Sequence, residues 1–425
     1  MPIFDSTTIA NRRQRAEQAL GAGPPLLLIA AGAPLPKPGG VDQCYPFTPH
    51  PVYYWLTGCR RWGGILAFDA REGWTHFVRP VTAEEQLWEG GVHSPDGLDV
   101  EQFADWLQQR GDRAVALLGG PIPAVAGDEQ LTDQIRERLD AARRIKDASE
   151  IELVGRAVHA TAAGFARARE VIRPGTTERT IQIEIEAEMF RHGADGLGYE
   201  TIVGAGARAG VLHSTPGPVT VAPQDVVLVD AGGAVLGYTA DVTRTFPAGD
   251  RFTAEAQAIY DVVLAAERAA IARCRHGVEW HDVHRAAAAE LAAGLRHLGL
   301  VKASVDEALD GEAIALFFPH GVGHMVGLGV RDVGGRAAGR EEVRICCGAK
   351  VRVDLPLRTG FLMTVEPGLY FVPAILDDPE RRARFRDAVA WDQIERWRPV
   401  GGVRIEDNVL VTDGRPRILT EAIPK

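Results

Sequence analysis

Four carboxylates and one imidazole in this 425-residue chain occupy positions where the surrounding pattern calls for core residues. Asp230 ends the apolar run VVLVD, and Asp241 follows eleven residues later inside GYTADVTRTF. His324 closes PHGVGH, Glu366 sits in TVEPGLY, and Glu406 lies in GVRIEDNVLV. Singly, most have a plain structural reading. An acid at a strand end is commonly a turn residue or a helix cap, which would account for Asp230. Glu406 has Arg404 two residues away on the same strand face, so an ion pair would account for it. Glu366 is harder to explain, because a carboxylate before proline inside a Val, Leu, Tyr strand has no local capping task.

As a set, they demand counter-charge. Four carboxylates drawn into one core repel each other, and an isolated buried charge costs several kcal/mol or neutralises itself with a proton. Two divalent cations balance four carboxylates, and a neutral imidazole completes coordination without altering that balance. An oxygen-rich set with a single nitrogen favours Mn²⁺, with Co²⁺, Fe²⁺ or Zn²⁺ in the same geometry. The two aspartates are then expected on adjacent strands of a hairpin facing a pair of metals. Such a pair activates a water and polarises a carbonyl oxygen, which is the chemistry of hydrolysis.

The length of the chain suggests two or three folded units to position these groups. The first ~140 residues alternate strand-like runs (Leu26 to Ala30, Gly64 to Phe68, His76 to Arg79, Ala114 to Leu118) with helix-like ones such as DVEQFADWLQQRG, the pattern of an α/β unit. A charged junction follows at Arg143 to Lys146 and leads into a long amphipathic helix that stops before Pro174-Gly175. Thr177 can cap a second helix, and two Ala-rich helices follow the acidic hairpin, FTAEAQAIYDVVLAAERAAIARC and EWHDVHRAAAAELAAGLRHLG. The last hundred residues return to strands.

Composition narrows the function classes. A formal charge of −10 argues against a nucleic-acid or anionic-membrane partner, because phosphate binding needs clustered Lys and Arg. The longest apolar run, from Leu26, is far short of the roughly 20 residues of a membrane span. The N-terminal segment has no apolar signal core. Five scattered cysteines suit a cytoplasmic chain with reduced thiols.

VDAGG with TADVTRTF, PHGVGHMVGLGV, TVEPGLYF and GGVRIEDN resemble, in that order, the metal-binding motifs of the pita-bread metallopeptidases, and most closely those of prolidase and aminopeptidase P. RRIKDASEIELV at the junction and VGAGARAGVLHS before the first aspartate add to the likeness. It covers the whole second half and, more weakly, the first. The resemblance implies an α+β protein, with an N-terminal α/β (creatinase-like) domain over residues 1–143 and a C-terminal pita-bread metallopeptidase domain over 146–425. It implies a homodimer that cleaves Xaa-Pro dipeptides, with aminopeptidase P action on longer Xaa-Pro peptides as the alternative. Asp230, Asp241, His324, Glu366 and Glu406 would hold two divalent ions, most simply Mn²⁺, with Asp241 and Glu406 bridging. Glu366 would also shuttle the proton from the attacking water to the leaving nitrogen. His213 matches a residue that contacts substrate near the oxyanion, and His320 one that touches the proline side or carboxylate. Arg352, fourteen residues before Glu366, matches an arginine for the substrate C-terminus, although its surroundings VRVD differ from the usual pattern. Arg404 would orient ligands from outside the metal shell, and Tyr199 and Trp88 would line the site, Trp88 from the partner subunit.

One departure stands out. Seven residues after the ligand histidine, these families carry a second histidine; here Arg331 occupies that place, and Gly329 replaces an acid. A guanidinium stays charged and cannot act as acid or base at neutral pH. Arg331 could clamp a substrate carboxylate, or pair with Asp332 and turn away. Arg331 thus makes a weakened relative that binds peptides an alternative to the peptidase, and a two-metal site could also hydrolyse esters or phosphoesters. Cys346 and Cys347, with no His or Cys nearby in sequence, read as packing residues, His281 and His284 as surface histidines, and GAGARAG as a turn.

Overall fold

The computed structural model describes residues 3–90, 95–340 and 342–425. The chain is α+β, and it divides into two compact units, 1–143 and 144–425.

In the first unit, five strands form one sheet in the order Leu98–Asp99, Gly73–Val78, Ile65–Asp69, Leu26–Ala30, Val115–Leu118. Leu26–Ala30 is buried along its whole length, as its unbroken apolar run requires of a central strand. It pairs antiparallel with Ile65–Asp69 and parallel with Val115–Leu118. Helix Ser6–Leu20 is capped by Asp5, whose carboxylate accepts from the Thr8 amide.

In the second unit, helix Ala148–Val171 starts on a capping box: Asp147 accepts from the Glu150 amide while Glu150 reaches back to the Asp147 amide. Helix Glu178–Arg191 starts at Thr177. Helices Ala254–Arg273 and Trp280–His297 pack against each other and supply much of a large apolar core. Three small antiparallel arrangements carry the chemistry. Strand Val226–Ala231 lies between Ile202–Ala205 and Val242–Pro247, strand Leu362–Val365 pairs with Asp407–Leu410, and Gly368–Tyr370 pairs with Gly402–Arg404. GAGARAG supplies the end of Ile202–Ala205 and then a 3₁₀ turn over Gly206–Gly210. No helix among the described residues is long and apolar enough to cross a membrane.

Candidate metal centre

Register brings the five residues together. Asp230 stands opposite Thr243 across the first hairpin, so Asp241, just before the second strand, comes beside it. Gly232 makes the intervening turn possible: a β-carbon there would meet the Ala240 carbonyl oxygen at 1.9 Å. Val365 pairs with Asp407, which sets Glu366 and Glu406 next to one another where the two strands end. The Glu406 amide donates to the Thr243 carbonyl at 3.1 Å and so ties this pair to the aspartate hairpin. His324 is delivered by a loop that lies on strand Leu362–Val365, where the Thr364 amide donates to the His324 carbonyl at 2.8 Å. Gly323 permits that approach, because a β-carbon would sit 2.2 Å from the Thr364 carbonyl oxygen.

Each side chain is then fixed by its neighbours. Asp230 accepts from the Tyr199 hydroxyl and from Arg404 Nη2, both at 2.6 Å. Arg404, itself buried, also donates to Thr243 Oγ1 at 3.1 Å, and that hydroxyl donates to Glu406 Oε2 at 2.7 Å. The Asn408 side chain clamps the backbone on both sides of Asp241, accepting from its amide at 3.0 Å and donating to its carbonyl at 2.6 Å. The expected ion pair between Arg404 and Glu406 is replaced by the one with Asp230. Strand Gly402–Arg404 ends at the arginine, so the alternation that would have set the two side chains on one face stops there.

His324 carries the most direct chemical argument. Its Nδ1 lies 3.0 Å from the Met325 carbonyl oxygen, which can only accept, so Nδ1 bears the proton. In the neutral ring, Nε2 is then a lone pair, and it faces Asp241 Oδ2 at 3.3 Å and Glu366 Oε1 at 3.7 Å. Acceptors do not face acceptors without a cation between them. Either a proton or a metal ion must stand there, and a donor set of carboxylates with one imidazole nitrogen suits a divalent ion.

The charge count gives the same result. Four carboxylates set against Arg404 leave three negative charges in a largely buried site. Burial, and then the other acids, drive Glu406 well above the ordinary carboxylate range. Burial outweighs Arg404 in raising Asp230. Glu366 is pushed up to about 7 by burial, with Asp241 and Asp230 adding to it and His324 and Arg404 opposing. Burial disfavours the His324 cation, yet Asp241 and Glu366 prevail and raise it. A site whose acids take up protons for lack of positive charge is one that dications fit.

The centre opens into a cavity of about 1160 Å³, and all of its described lining residues belong to the second unit. His213, Arg331 and Arg352 line it from exposed positions, and Tyr199 lines it while bonded to Asp230. Arg331 does not pair with Asp332, whose carboxylate meets Lys146 at 2.7 Å; Arg331 makes no side-chain hydrogen bond or ion pair among the described residues. His320 is also in the lining, but both ring nitrogens already have partners. Nδ1 donates to the Gly321 carbonyl at 2.9 Å, and Nε2 accepts from the Tyr370 hydroxyl at 2.8 Å, which itself accepts from Arg404 at 3.0 Å. Burial, reinforced by Arg404, holds His320 down to about 3, so the ring is neutral. Trp88, expected from a partner subunit, belongs to the first unit and is 77% exposed.

Tyr370, Thr243 and Asn408 escaped the sequence reading, since hydroxyls and an amide in strands carry no charge pattern to flag them. Two further corrections concern the remaining histidines and cysteines. His281 is only partly exposed, and His284 is fully buried rather than on the surface. Helix packing places His284 beside Cys346 and Cys347, so these cysteines do have a histidine neighbour. A third group, Glu279, His281 and Asp354, is already bridged by Arg340, which donates to both carboxylates.

The family model described as metallopeptidase family M24 matches residues 152–413, and that described as the aminopeptidase P N-terminal domain matches residues 9–105. The chain is 31% identical over 395 residues to a probable Xaa-Pro aminopeptidase of Botryotinia fuckeliana, covering 89% of this chain and 86% of that protein. Among solved structures, aminopeptidase PepP of Pseudomonas aeruginosa superposes with a TM-score of 0.81 at 29% identity, over 100% of this chain and 97% of that one. Zinc-substituted aminopeptidase P of Escherichia coli in complex with product gives 0.80 at 27% identity, over 99% and 96%.

Proposed function

We propose that this chain, which belongs to metallopeptidase family M24, is an Xaa-Pro aminopeptidase that removes the residue before proline from peptides longer than two residues. The sequence motifs alone favoured the dipeptidase reading. The relatives shift the balance, because those compared above are Xaa-Pro aminopeptidases and aminopeptidase P. The cavity of about 1160 Å³ also has room for more than a dipeptide. The single observation that carries the hydrolase reading is the His324 lone pair set against Asp241 and Glu366, a gap that asks for a cation.

Asp230, Asp241, His324, Glu366 and Glu406 would hold two divalent ions. The oxygen-rich donor set supports Mn²⁺ as the resident ion. When bound, such ions polarise a scissile carbonyl and provide a deprotonated water near neutral pH. The chain's own groups do the remainder. Burial raises Glu366 to about 7, dications held beside it would lower it, and its carboxylate would then take a proton from water and return it to the leaving nitrogen. That return matters for proline, whose nitrogen has no N–H and is a poor leaving group until protonated. Arg404 and Tyr199 hold Asp230 in place, and Thr243 does so for Glu406. His213 and His320, both in the cavity lining, would meet the substrate, the latter only if Tyr370 yields its hydrogen bond. Arg331 and Arg352 present fixed cations to the cavity and suit a substrate carboxylate.

The same reading includes a homodimer in the cytoplasm. Exposed Leu87 and Trp88 offer an apolar surface for a partner, and the five unpaired cysteines suit a reducing compartment. The test compares turnover of Gly-Pro, Ala-Pro and a longer Xaa-Pro peptide by metal-stripped protein given Mn²⁺. Cleavage of the longer peptide is expected. Cleavage of the dipeptides alone would restore the prolidase reading, and no cleavage with metal bound would favour a peptide-binding relative.

A further inference from the structure

Residues Arg344–Cys346 and Ala349–Val351 form a hairpin with Cys346 opposite Ala349. Its two turn residues, Cys347 and Gly348, both have positive φ, +52° and +80°. Two-residue hairpin turns need that conformation and normally recruit Asn, Asp or Gly for it, so a cysteine here is an unusual occupant. The turn sets the two sulfurs 3.7 Å apart. Two thiolates bound to one tetrahedral ion at about 2.3 Å each would lie roughly 3.8 Å apart.

The third group comes from helix Trp280–His297. His284 is 0% exposed, and neither of its ring nitrogens has a hydrogen-bond partner of good geometry, the Cys346 backbone being the one polar group close enough to act on the ring. A neutral imidazole always carries one donor and one acceptor, so burying both unmet leaves a defect that a bound ion would remove in part. Phe318 stacks on the ring at 5.1 Å and 22°, so partners for the nitrogens must come in the ring plane. The ligand atoms of His284, Cys346 and Cys347 all lie within 4.8 Å of one another. Cys346 is partly exposed, which gives an ion a route in.

We propose that Cys346, Cys347 and His284 bind one thiophilic transition-metal ion of the zinc class, at a site separate from the carboxylate centre. The two sites differ in chemistry: sulfur-rich and soft here, oxygen-rich and hard there. Three protein ligands leave the fourth position to water. The ion would brace one wall of the cavity, because Gly348 and Lys350 of this hairpin line it, and Phe318 meets lining residue His320 edge-on at 4.9 Å.

The test titrates the Mn²⁺-loaded full chain with Cd²⁺ and follows thiolate-to-cadmium absorption in the ultraviolet. Saturation at one equivalent of the sulfur-bound ion is expected, with loss of the signal in C346S/C347S and weaker binding in H284A. Absence of the band in the parent, or its persistence in C346S/C347S, overturns the proposal. A measurement on the unaltered chain guards against variants that fail to fold. Cd²⁺ should slow alkylation of Cys346, mapped by peptide mass spectrometry, while exposed Cys44 reacts as before. Protection absent at Cys346, or shared by Cys44, would reject the site.

Discussion

Replacing Arg404 with Met tests the electrostatics of the centre without relying on turnover. The guanidinium is the buried cation bonded to Asp230, at 2.6 Å, and also meets Thr243 and Tyr370. Removing one member of a buried pair costs about 3–5 kcal/mol, because the other charge is left uncompensated. Asp230 can escape by taking up a proton, which sets a ceiling on the loss. Holding a carboxyl protonated costs about 1.4 kcal/mol for each pH unit above its ordinary value near 3.9, so the ceiling is about 5.6 kcal/mol at pH 8 and about 1.5 at pH 5. A raised folded pKa means the folded state binds more protons than the unfolded chain, so the variant weakens further as pH rises. At about 2–4 °C per kcal/mol, metal-free R404M should melt on the order of 10 °C below the metal-free parent at pH 8, and only a few degrees below it at pH 5. Calorimetry on chelator-treated protein reads both values. D230N in the R404M background should recover most of the loss by removing the stranded charge. Equal melting temperatures for parent and R404M at pH 8 would refute the reasoning.

Three further outcomes follow from the structure. E366Q should lower kcat by about 10²–10⁴ at saturating Mn²⁺, as expected of a proton carrier, and weaken metal binding as well because Glu366 is also a ligand; unchanged turnover in the metal-saturated variant would remove the shuttle role. R331H should raise kcat by restoring a group able to exchange protons at neutral pH, and an unchanged rate would mean that position 331 does not meet the reacting atoms. In the first unit, burial holds His50 and His76 down to about 4, with Arg143 and Arg13 respectively adding to it. Their folded values lie below the unfolded one near 6.5, so the stability they contribute is present above that pH and is lost as pH falls towards 4, up to about 3 kcal/mol each. Denaturant titrations at pH 7 and pH 4.5 should show the loss, H76Q should reduce it, and a flat profile would contradict it.

Much of this was legible in the sequence because the signals were local. Asp230 and Glu366 stood out as charges within apolar strands. Thr177 marked a helix start by capping chemistry that a few residues suffice to show. The strand Leu26–Ala30 could be read from its apolar run. What stayed hidden depends on contacts between distant segments. Tyr370 matters because Arg404 and His320, 34 and 50 residues away, converge on its hydroxyl. Asn408 matters because it meets the backbone of Asp241 across 167 residues. His284 was recoverable in principle: it lies four residues after Trp280 on the stripe of Trp280, Val283, Ala287, Ala288 and Leu291 that faces the core, and helical periodicity would have buried it.

The cation requirement at the five-residue centre is tested most directly by counting ions. Elemental analysis of the purified chain, dialysed against Mn²⁺ after chelation, should find two ions per chain in the parent when the cysteine site is blocked by C346S/C347S, and fewer in D241N or E406Q of that background. A chain that binds no divalent ion, yet keeps its fold and still cleaves an Xaa-Pro peptide in chelator, would contradict it.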